Sequence, residues 1–395
     1  GNSYLHTCER MMYESEHLLT GLLPKETLVS TLLAQNFEGN TPLHKLYDIK
    51  TVIPILEHLM TPFQVDQLFS LRNSDGNTIL HGMNPQEVLI VLAKLKLPSN
   101  SFLGIQNRQG QTILHQTVEI SYSTQSYGSK SVGKLCSNSL VVAKILSFVN
   151  VAQRASIVML KDLKSNTMLH MIDYKLPEAI ISVLNSVPYE ERGTLLRIQD
   201  QGGRTPIHLI VSMAYHQTLL QVMRLFSATQ IVQLLSCQDN HGSTPLHIAA
   251  ASHKASPVCQ VILRQVTSSD IPNLLRLSNK RGDTAVHTAA AQENTHTLNM
   301  ITSSTSFQEM VKILLLDASC PQLEMALTSD DDDTLLTALA YLDFYDRCLL
   351  LDILNGDEKT RVKPLVDILN ARELQQLETQ IAESSLRQLN LGKKR

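Results

Sequence analysis

A four-residue motif, threonine followed by any residue, an aliphatic residue and histidine, recurs along most of this 395-residue chain and constrains its fold more than any other feature. Seven copies begin at Thr41, Thr78, Thr112, Thr167, Thr205, Thr244 and Thr284. An eighth copy, at residues 3–6, has serine in place of threonine. Self-similarity with a period of about 20–50 residues is typical of an array of like structural repeats. We therefore expect one stack of repeats rather than several independent globular domains.

Each motif lies in a longer pattern that predicts a tight turn before a helix. The turn residues are Asn36, Asn73, Asn107, Asp162, Asp200, Asp239 and Asn279, five before each threonine, and Gly39, Gly76, Gly110, Ser165, Gly203, Gly242 and Gly282, two before it. Asn and Asp side chains bond to the backbone two residues on, and glycine adopts positive φ at no steric cost, so both favour turns. The positions seven and nine before each threonine are apolar in all seven copies. We expect both columns to face an interior.

The whole pattern resembles the ankyrin repeat, most fully at residues 239–250 (DNHGSTPLHIAA). The resemblance covers residues 1 to about 345. It implies an all-α solenoid in which each repeat is a β-turn followed by two antiparallel helices. The motif threonine would cap the first helix, since its hydroxyl can accept a bond from an unpaired backbone N–H, and proline is tolerated in that first turn.

The repeats are longer than those of the ankyrin family, which have about 33 residues. Successive threonines are 34 residues apart at the shortest, between Thr78 and Thr112, and 55 at the longest, between Thr112 and Thr167. The extra residues precede the next turn, at residues 61–69, 227–235 and 268–275, and start with Ser, Thr or Pro before an apolar pair. This pattern predicts an additional short helical turn at the outer edge of each repeat.

We expect the array to span residues 1–357, with about eight long repeats and a degenerate capping repeat. The repeats would start near residues 1, 36, 73, 107, 162, 200, 239, 279 and 329. The capping repeat has four aspartates at 330–333 in place of the turn, and its motif lacks histidine. Negative charge is favourable at a helix N-terminus, and consecutive acids do not form a spaced cage for a metal ion. Residues 358–395 are apolar at helical spacing, which predicts a capping helical segment or, alternatively, a partner-binding helix.

A Ser-, Tyr- and Gly-rich insertion at residues 121–134 has no apolar period. It predicts an exposed loop between the two helices of the repeat that begins at Asn107. Two interpretations stay open for this loop. It is either a tolerated surface insertion, or a loop that is phosphorylated or contacts a partner.

Composition limits the class of protein. The net charge of −3 gives no general attraction to nucleic acid, so no direct nucleic-acid binding is expected. Six scattered cysteines without a Cys-x-x-Cys pair favour reduced thiols and an intracellular location, cytoplasmic or nuclear. No apolar run reaches the ~18 residues that a membrane span needs. The chain begins within a motif and without Met, so we expect it to be part of a longer protein.

The fourteen histidines do not predict catalysis or metal binding. Eight of them belong to the motif, where the resemblance implies a structural role: a hydrogen bond across the turn and to the neighbouring repeat. The remaining six form no cluster with metal-ligand spacing, and no phosphate-binding or nucleophile motif is present. We therefore predict a non-enzymatic protein without cofactor or metal.

Binding would use the turn tips and the inner face of the first helix, as the resemblance implies. These positions hold Phe37, Glu38, Asn40, Asp48, Ile49, Ser74, Asp75 and Glu119 in the early repeats, Arg108 next, and Leu163, Lys164, Tyr174, Lys175, Arg204, Met213, Lys280 and Arg281 later. Their charge changes from acidic to basic along the chain. The partner-binding candidates are Arg108, Lys164, Tyr174, Lys175, Arg204, Met213, Lys280 and Arg281. We expect them to hold an acidic or phosphorylated segment of a protein partner.

These features predict a protein-interaction module, such as a regulatory adaptor or inhibitor. The long repeats, the insertion and the capping segment resemble, in their organisation, the inhibitor-of-NF-κB branch of the ankyrin family. That resemblance implies control of transcription or immune signalling. Two alternatives are the substrate-recruiting arm of a larger enzyme or ubiquitin ligase, and a microbial effector array directed at host proteins.

Overall fold

The fold is described from a computed structural model, which covers residues 24–45, 49–95, 101–123, 138–305, 363–371 and 375. Over these residues the regular structure is helical, apart from one isolated antiparallel bridge between Ser278 and Thr284, so the fold is all-α. Several predictions concern positions outside them: the motif at 3–6, Asp48, the Glu119 side chain, residues 124–134, the cap at 329–333 and most of 358–395.

Helices follow the motifs in a constant order. First helices begin next to the motif threonines and span Pro42–Lys45, Ile79–Gly82, Ile113–Ser123, Met168–Met171, Pro206–Ser212, Pro245–Ala250 and Ala285–Ala291. Second helices span Ile53–Leu59, Pro85–Leu95, Asn138–Ser147, Pro177–Ser186, His216–Met223, Ser256–Gln265 and Thr295–Ser303. Short 3₁₀ turns at Ile49–Thr51 and His253–Ala255 precede two of the second helices. Residues 363–371 are also helical.

A third helix completes most repeats, where the extra residues predict a helical turn. These third helices span Lys25–Leu33, Pro62–Ser70, Ser101–Gly104, Val151–Val158, Tyr189–Arg197, Ala228–Leu235 and Ile271–Leu275. The Thr61 side chain starts one of them, because its hydroxyl accepts from the Gln64 N–H while Gln64 bonds back to the Thr61 N–H. The repeat is thus a turn followed by three helices.

The chain divides into two compact units, Gly1–Gln230 and Ile231–Arg395. In the N-terminal unit the second helices Pro85–Leu95, Asn138–Ser147, Pro177–Ser186 and His216–Met223 pack in succession. In the C-terminal unit Ser256–Gln265 packs against Thr295–Ser303, and Pro245–Ala250 against Ala285–Ala291.

One of the two apolar columns is buried throughout. The residues nine before each threonine, from Leu32 to Leu275, are all buried in the third helices. Those seven before, from Ala34 to Leu277, are only half-buried, which corrects the prediction that both columns face an interior. The reason is visible at Ala34 and Leu71, which follow the last helical residue in extended conformation and so direct their side chains partly outward.

The predicted loop at 121–134 also starts too early, because the helix Ile113–Ser123 runs to residue 123.

Glycine is needed in the turns for two reasons. Gly39, Gly76, Gly110 and Gly242 have φ between +73° and +76°, which L side chains rarely adopt. A Cβ atom on Gly76 would also lie 2.8 Å from the backbone nitrogen of Arg108, in the next turn. The missing side chain therefore lets successive turns approach each other closely.

Ser165 occupies the glycine position with φ +60° and gives a testable exception. The backbone bond to the next turn, from Gln201 N to Lys164 O, is 3.2 Å, against 2.8–2.9 Å for the corresponding bonds elsewhere. We expect Ser165→Gly to raise the free energy of unfolding by about 0.5–1 kcal/mol, since relief of the left-handed conformation outweighs the greater freedom of the unfolded chain. Urea denaturation measures the change. Gly76→Ala is the matched control and should lower stability by about 2 kcal/mol, because both strain and overlap are introduced. A loss of stability in Ser165→Gly would contradict this explanation.

Candidate protein-binding surface

The motif histidines fasten each turn to the next. In all seven described copies the Nδ1 atom accepts a hydrogen bond from the backbone N–H of the motif threonine. The Nε2 atom contacts the carbonyl oxygen of the residue just before the next threonine. These contacts are His44 to Asn77, His81 to Gln111, His115 to Asn166 and His170 to Arg204, each at 3.1 Å, and His247 to Asp283 at 3.0 Å. A carbonyl can only accept, so Nε2 carries the proton and the ring is neutral.

This geometry agrees with the predicted structural role of the histidines. In the five copies whose Nε2 contact is described, both ring nitrogens are engaged with backbone groups. Among the residues that the structure describes, no group of three or more His, Cys, Asp or Glu side chains lies in a position to hold a metal ion.

Burial lowers the pKa of His81, His170 and His247, and the hydrogen bond to the next turn only partly opposes the effect. Burial penalises the charged ring, and protonation of Nδ1 would also set two N–H groups against each other at the threonine. The neutral form is thus the one that fits the fold. Because the pKa is lower in the folded chain than its usual value of about 6.5, the unfolded chain binds more protons as the pH falls.

We expect the contribution of these histidines to the free energy of unfolding to be fully present above about pH 6.5. It should decrease as the pH falls through their lowered pKa values. Urea denaturation between pH 7.5 and pH 5.5 measures this, in a range where most carboxylates stay ionised. The urea concentration at the midpoint of unfolding should decrease steadily as the pH is lowered. A midpoint that is constant over this range would contradict the role given to the neutral rings.

Backbone bonds also join the turns directly. In the N-terminal unit the turns at residues 36–40, 73–77, 107–111, 162–166 and 200–204 form what we call the turn row. Their bonds run from Ser74 N to Glu38 O, Arg108 N to Asp75 O, Leu163 N to Gln109 O and Gln201 N to Lys164 O. In the C-terminal unit Lys280 N bonds to His241 O at 2.9 Å in the same way. Each tip therefore has a fixed place relative to the next.

A further column of side chains, which the sequence prediction missed, reinforces the turns. Gln106 donates from Nε2 to the carbonyl of Gly110 in its own turn and to that of Lys161 before the next turn. Gln35 does the same with Gly39 and Arg72. The sixth position before the threonine holds a long polar residue in six copies: Gln35, Arg72, Gln106, Lys161, Gln199 and Gln238. That regularity is the sequence signal from which the column could have been predicted.

Six of the eight candidate residues are exposed without a described ion pair. Arg108 and Lys164 lie on tips of the turn row, and Lys280 and Arg281 lie on a tip in the C-terminal unit. Lys175 lies in the loop after Met168–Met171, and Met213 lies at the end of Pro206–Ser212. These residues stay candidates for partner contact.

Tyr174 and Arg204 require correction. Tyr174 is only 1% exposed; its hydroxyl donates to the Leu169 carbonyl, and its own carbonyl accepts from Thr218 Oγ1. It is therefore a core residue rather than part of a binding surface. Arg204 is exposed, but its guanidinium forms an ion pair with the buried Asp200 at 2.8 Å. Burial alone would raise the pKa of Asp200, but hydrogen bonds from Arg204 and its positive charge lower it. Arg204 thus neutralises the charge of Asp200 in its own turn, and it is a poor site for a second anion.

Two apolar tips were not among the eight candidates. Phe37 is 91% exposed and Leu163 is 75% exposed, and both lie four residues before a motif threonine. The turn row therefore presents apolar as well as charged side chains.

Comparison with models of known protein families finds none that matches this chain, and no curated protein matches it. Over the described residues, no helix has both the length and the apolar character that crossing a membrane requires.

Proposed function

We propose that the chain is an ankyrin-repeat protein, with about eight long repeats, that binds a partner protein through the tips of its turns. The observation that carries this proposal is the division of side chains within each turn. The motif and turn residues bond to one another, while the tip residues are exposed and differ from repeat to repeat. Exposed, variable side chains on fixed backbone positions suit recognition, because little order has to be gained on binding.

The partner's binding segment is acidic or phosphorylated in this proposal. Arg108 and Lys164 support it, since both are exposed cations on neighbouring tips of the turn row and no described acid forms an ion pair with either. Positive side chains at fixed positions attract a negative segment and accelerate its association. As a regulatory adaptor or inhibitor of this kind, the protein would act in the cytoplasm or nucleus. Its organisation favours control of transcription or immune signalling.

Charge reversal of the tips tests the proposal. The double variant Arg108→Glu, Lys164→Glu should lose proteins that the wild-type chain captures from a cell extract. The surviving interactions should associate at least about tenfold more slowly at low salt, since steering by charge is removed. Quantitative mass spectrometry identifies the lost proteins, and surface-based kinetics at 50 and 300 mM salt measures their rates.

Lys94→Glu, Lys144→Glu is the matched control. These exposed lysines lie on the second helices Pro85–Leu95 and Asn138–Ser147, and the variant changes the net charge by the same amount. It should keep the captured proteins and their rates. Equal loss in both variants, or no captured protein that depends on Arg108 and Lys164, would contradict a binding site on the turn row.

A further inference from the structure

The residue four positions before each motif threonine, which we call the first tip position of the turn, is not dictated by the fold. In the N-terminal unit this position holds Phe37, Ser74, Arg108, Leu163 and Gln201. The inter-turn bond uses only its backbone N–H, which any residue except proline supplies, as Ser74, Arg108, Leu163 and Gln201 show. The bond between turns therefore does not need an apolar side chain here, yet Phe37 is 91% exposed to water and Leu163 is 75% exposed.

The exposed charged side chains change from acidic to basic along the turn row. Glu38 and Asp75 are exposed on the first two turns, whereas Arg108 and Lys164 are exposed on the third and fourth. Opposite ends of the row thus favour opposite charges on whatever lies along it. The apolar residues mark the two ends of this stretch, with Phe37 beside Glu38 and Leu163 beside Lys164.

The distance between the apolar tips determines the length of a ligand that reaches both. Phe37 and Leu163 are three turns apart, and helices of successive repeats pack at about 8–10 Å, which gives about 24–30 Å. An extended chain advances about 3.3 Å per residue and covers this distance in about seven to nine residues. A helix advances about 1.5 Å per residue and would need about 16–20.

We propose that the turn row binds an extended segment of a partner protein with two large apolar residues about seven to nine positions apart. Basic residues of the segment lie beside Glu38 and Asp75, and acidic or phosphorylated residues lie beside Arg108 and Lys164. The two apolar residues pack on Phe37 and Leu163. This inference rests on the proposed function and adds the polarity, length and apolar anchors of the segment.

Selection from a displayed library of random 24-residue peptides on the full 395-residue chain tests it. The enriched peptides should carry two large apolar residues about seven to nine positions apart, basic residues near one and acidic residues near the other. A spacing of about 16–20 would indicate a helical ligand and overturn the inference, as would peptides without charge polarity.

Substitution of the anchors is the second step, with fluorescence anisotropy of an enriched peptide as the measurement. Phe37→Ala and Leu163→Ala should each weaken binding by about 30-fold, as the loss of an apolar residue that carries much of the binding energy does. Both side chains are exposed, so stability should change little, which urea denaturation verifies. Phe63→Ala is the matched control: Phe63 is 76% exposed but lies on the third helix Pro62–Ser70, so affinity should be unchanged. Equal affinity for the wild type and both anchor variants would refute the proposal.

Charge exchange on both partners tests the direction. A peptide with its acidic and basic residues exchanged should bind the wild-type chain at least about tenfold more weakly. The chain Glu38→Lys, Asp75→Lys, Arg108→Glu, Lys164→Glu should recover most of that loss. Failure of this rescue in a folded variant would exclude the proposed polarity.

The remaining outcomes separate this inference from the proposed function. Proteins whose capture depends on Arg108 and Lys164 but not on Phe37 or Leu163 would leave the binding function in place and overturn the inference. Concentration-dependent dimers that dissociate on Phe37→Ala or Leu163→Ala, seen by sedimentation, would make a second copy of the chain the occupant and overturn it as well. Absence of both peptides and captured proteins would overturn both proposals.

Discussion

The structure depends on one neutral imidazole per repeat. Each ring accepts the backbone N–H of its own threonine, and in the five copies whose outer contact is described it donates to a carbonyl of the following turn. The same side chain therefore caps a helix and joins two repeats. Both bonds require the neutral tautomer, and burial lowers the pKa of His81, His170 and His247, so we expect these three links to weaken in acid.

Glycine and the long polar column both contribute to the link between successive turns. Without a Cβ at Gly76, the backbone of the next turn approaches until Arg108 N reaches Asp75 O at 2.8 Å. Arg72 of the long polar column spans the same link, since it donates to the carbonyls of Gly76 and Gln106. With the backbone positions fixed in this way, the bond between turns needs only the backbone N–H of the first tip residue. Recognition and architecture are thus divided between neighbouring residues of one turn, which explains how tips such as Phe37, Ser74 and Arg108 can differ without a change of fold.

Much of the local structure could be predicted because it follows from short-range rules. The turn glycines and the third helix depend on residues within about one helical turn of each other. The predicted threonine cap, in which the hydroxyl accepts from a backbone N–H, is described at Thr244 and Thr284. The prediction of surface residues was less accurate where it assumed that a fixed number of residues after the threonine always lies on the same face. Tyr174 lies seven residues after Thr167, but its first helix, Met168–Met171, ends after four residues and the chain continues inward. In the preceding repeat the first helix runs from Ile113 to Ser123, so the same offset falls within a helix. The prediction that Arg204 contacts a partner was wrong for another reason. Arg204 forms an ion pair with Asp200 in its own turn, and a pattern of turn residues does not reveal that pair.

The central claim is that the exposed tips belong to turns rigidly joined by backbone hydrogen bonds. Residue-resolved hydrogen exchange of the Ser74, Arg108 and Leu163 amides tests this most directly. The side chains of all three are exposed, yet each amide donates to the preceding turn. We expect these amides to exchange at least about a thousandfold more slowly than in an unstructured peptide, because exchange requires separation of neighbouring repeats. Exchange at the rate of an unstructured peptide would show that the turns are not joined, and a preordered binding row would then be ruled out.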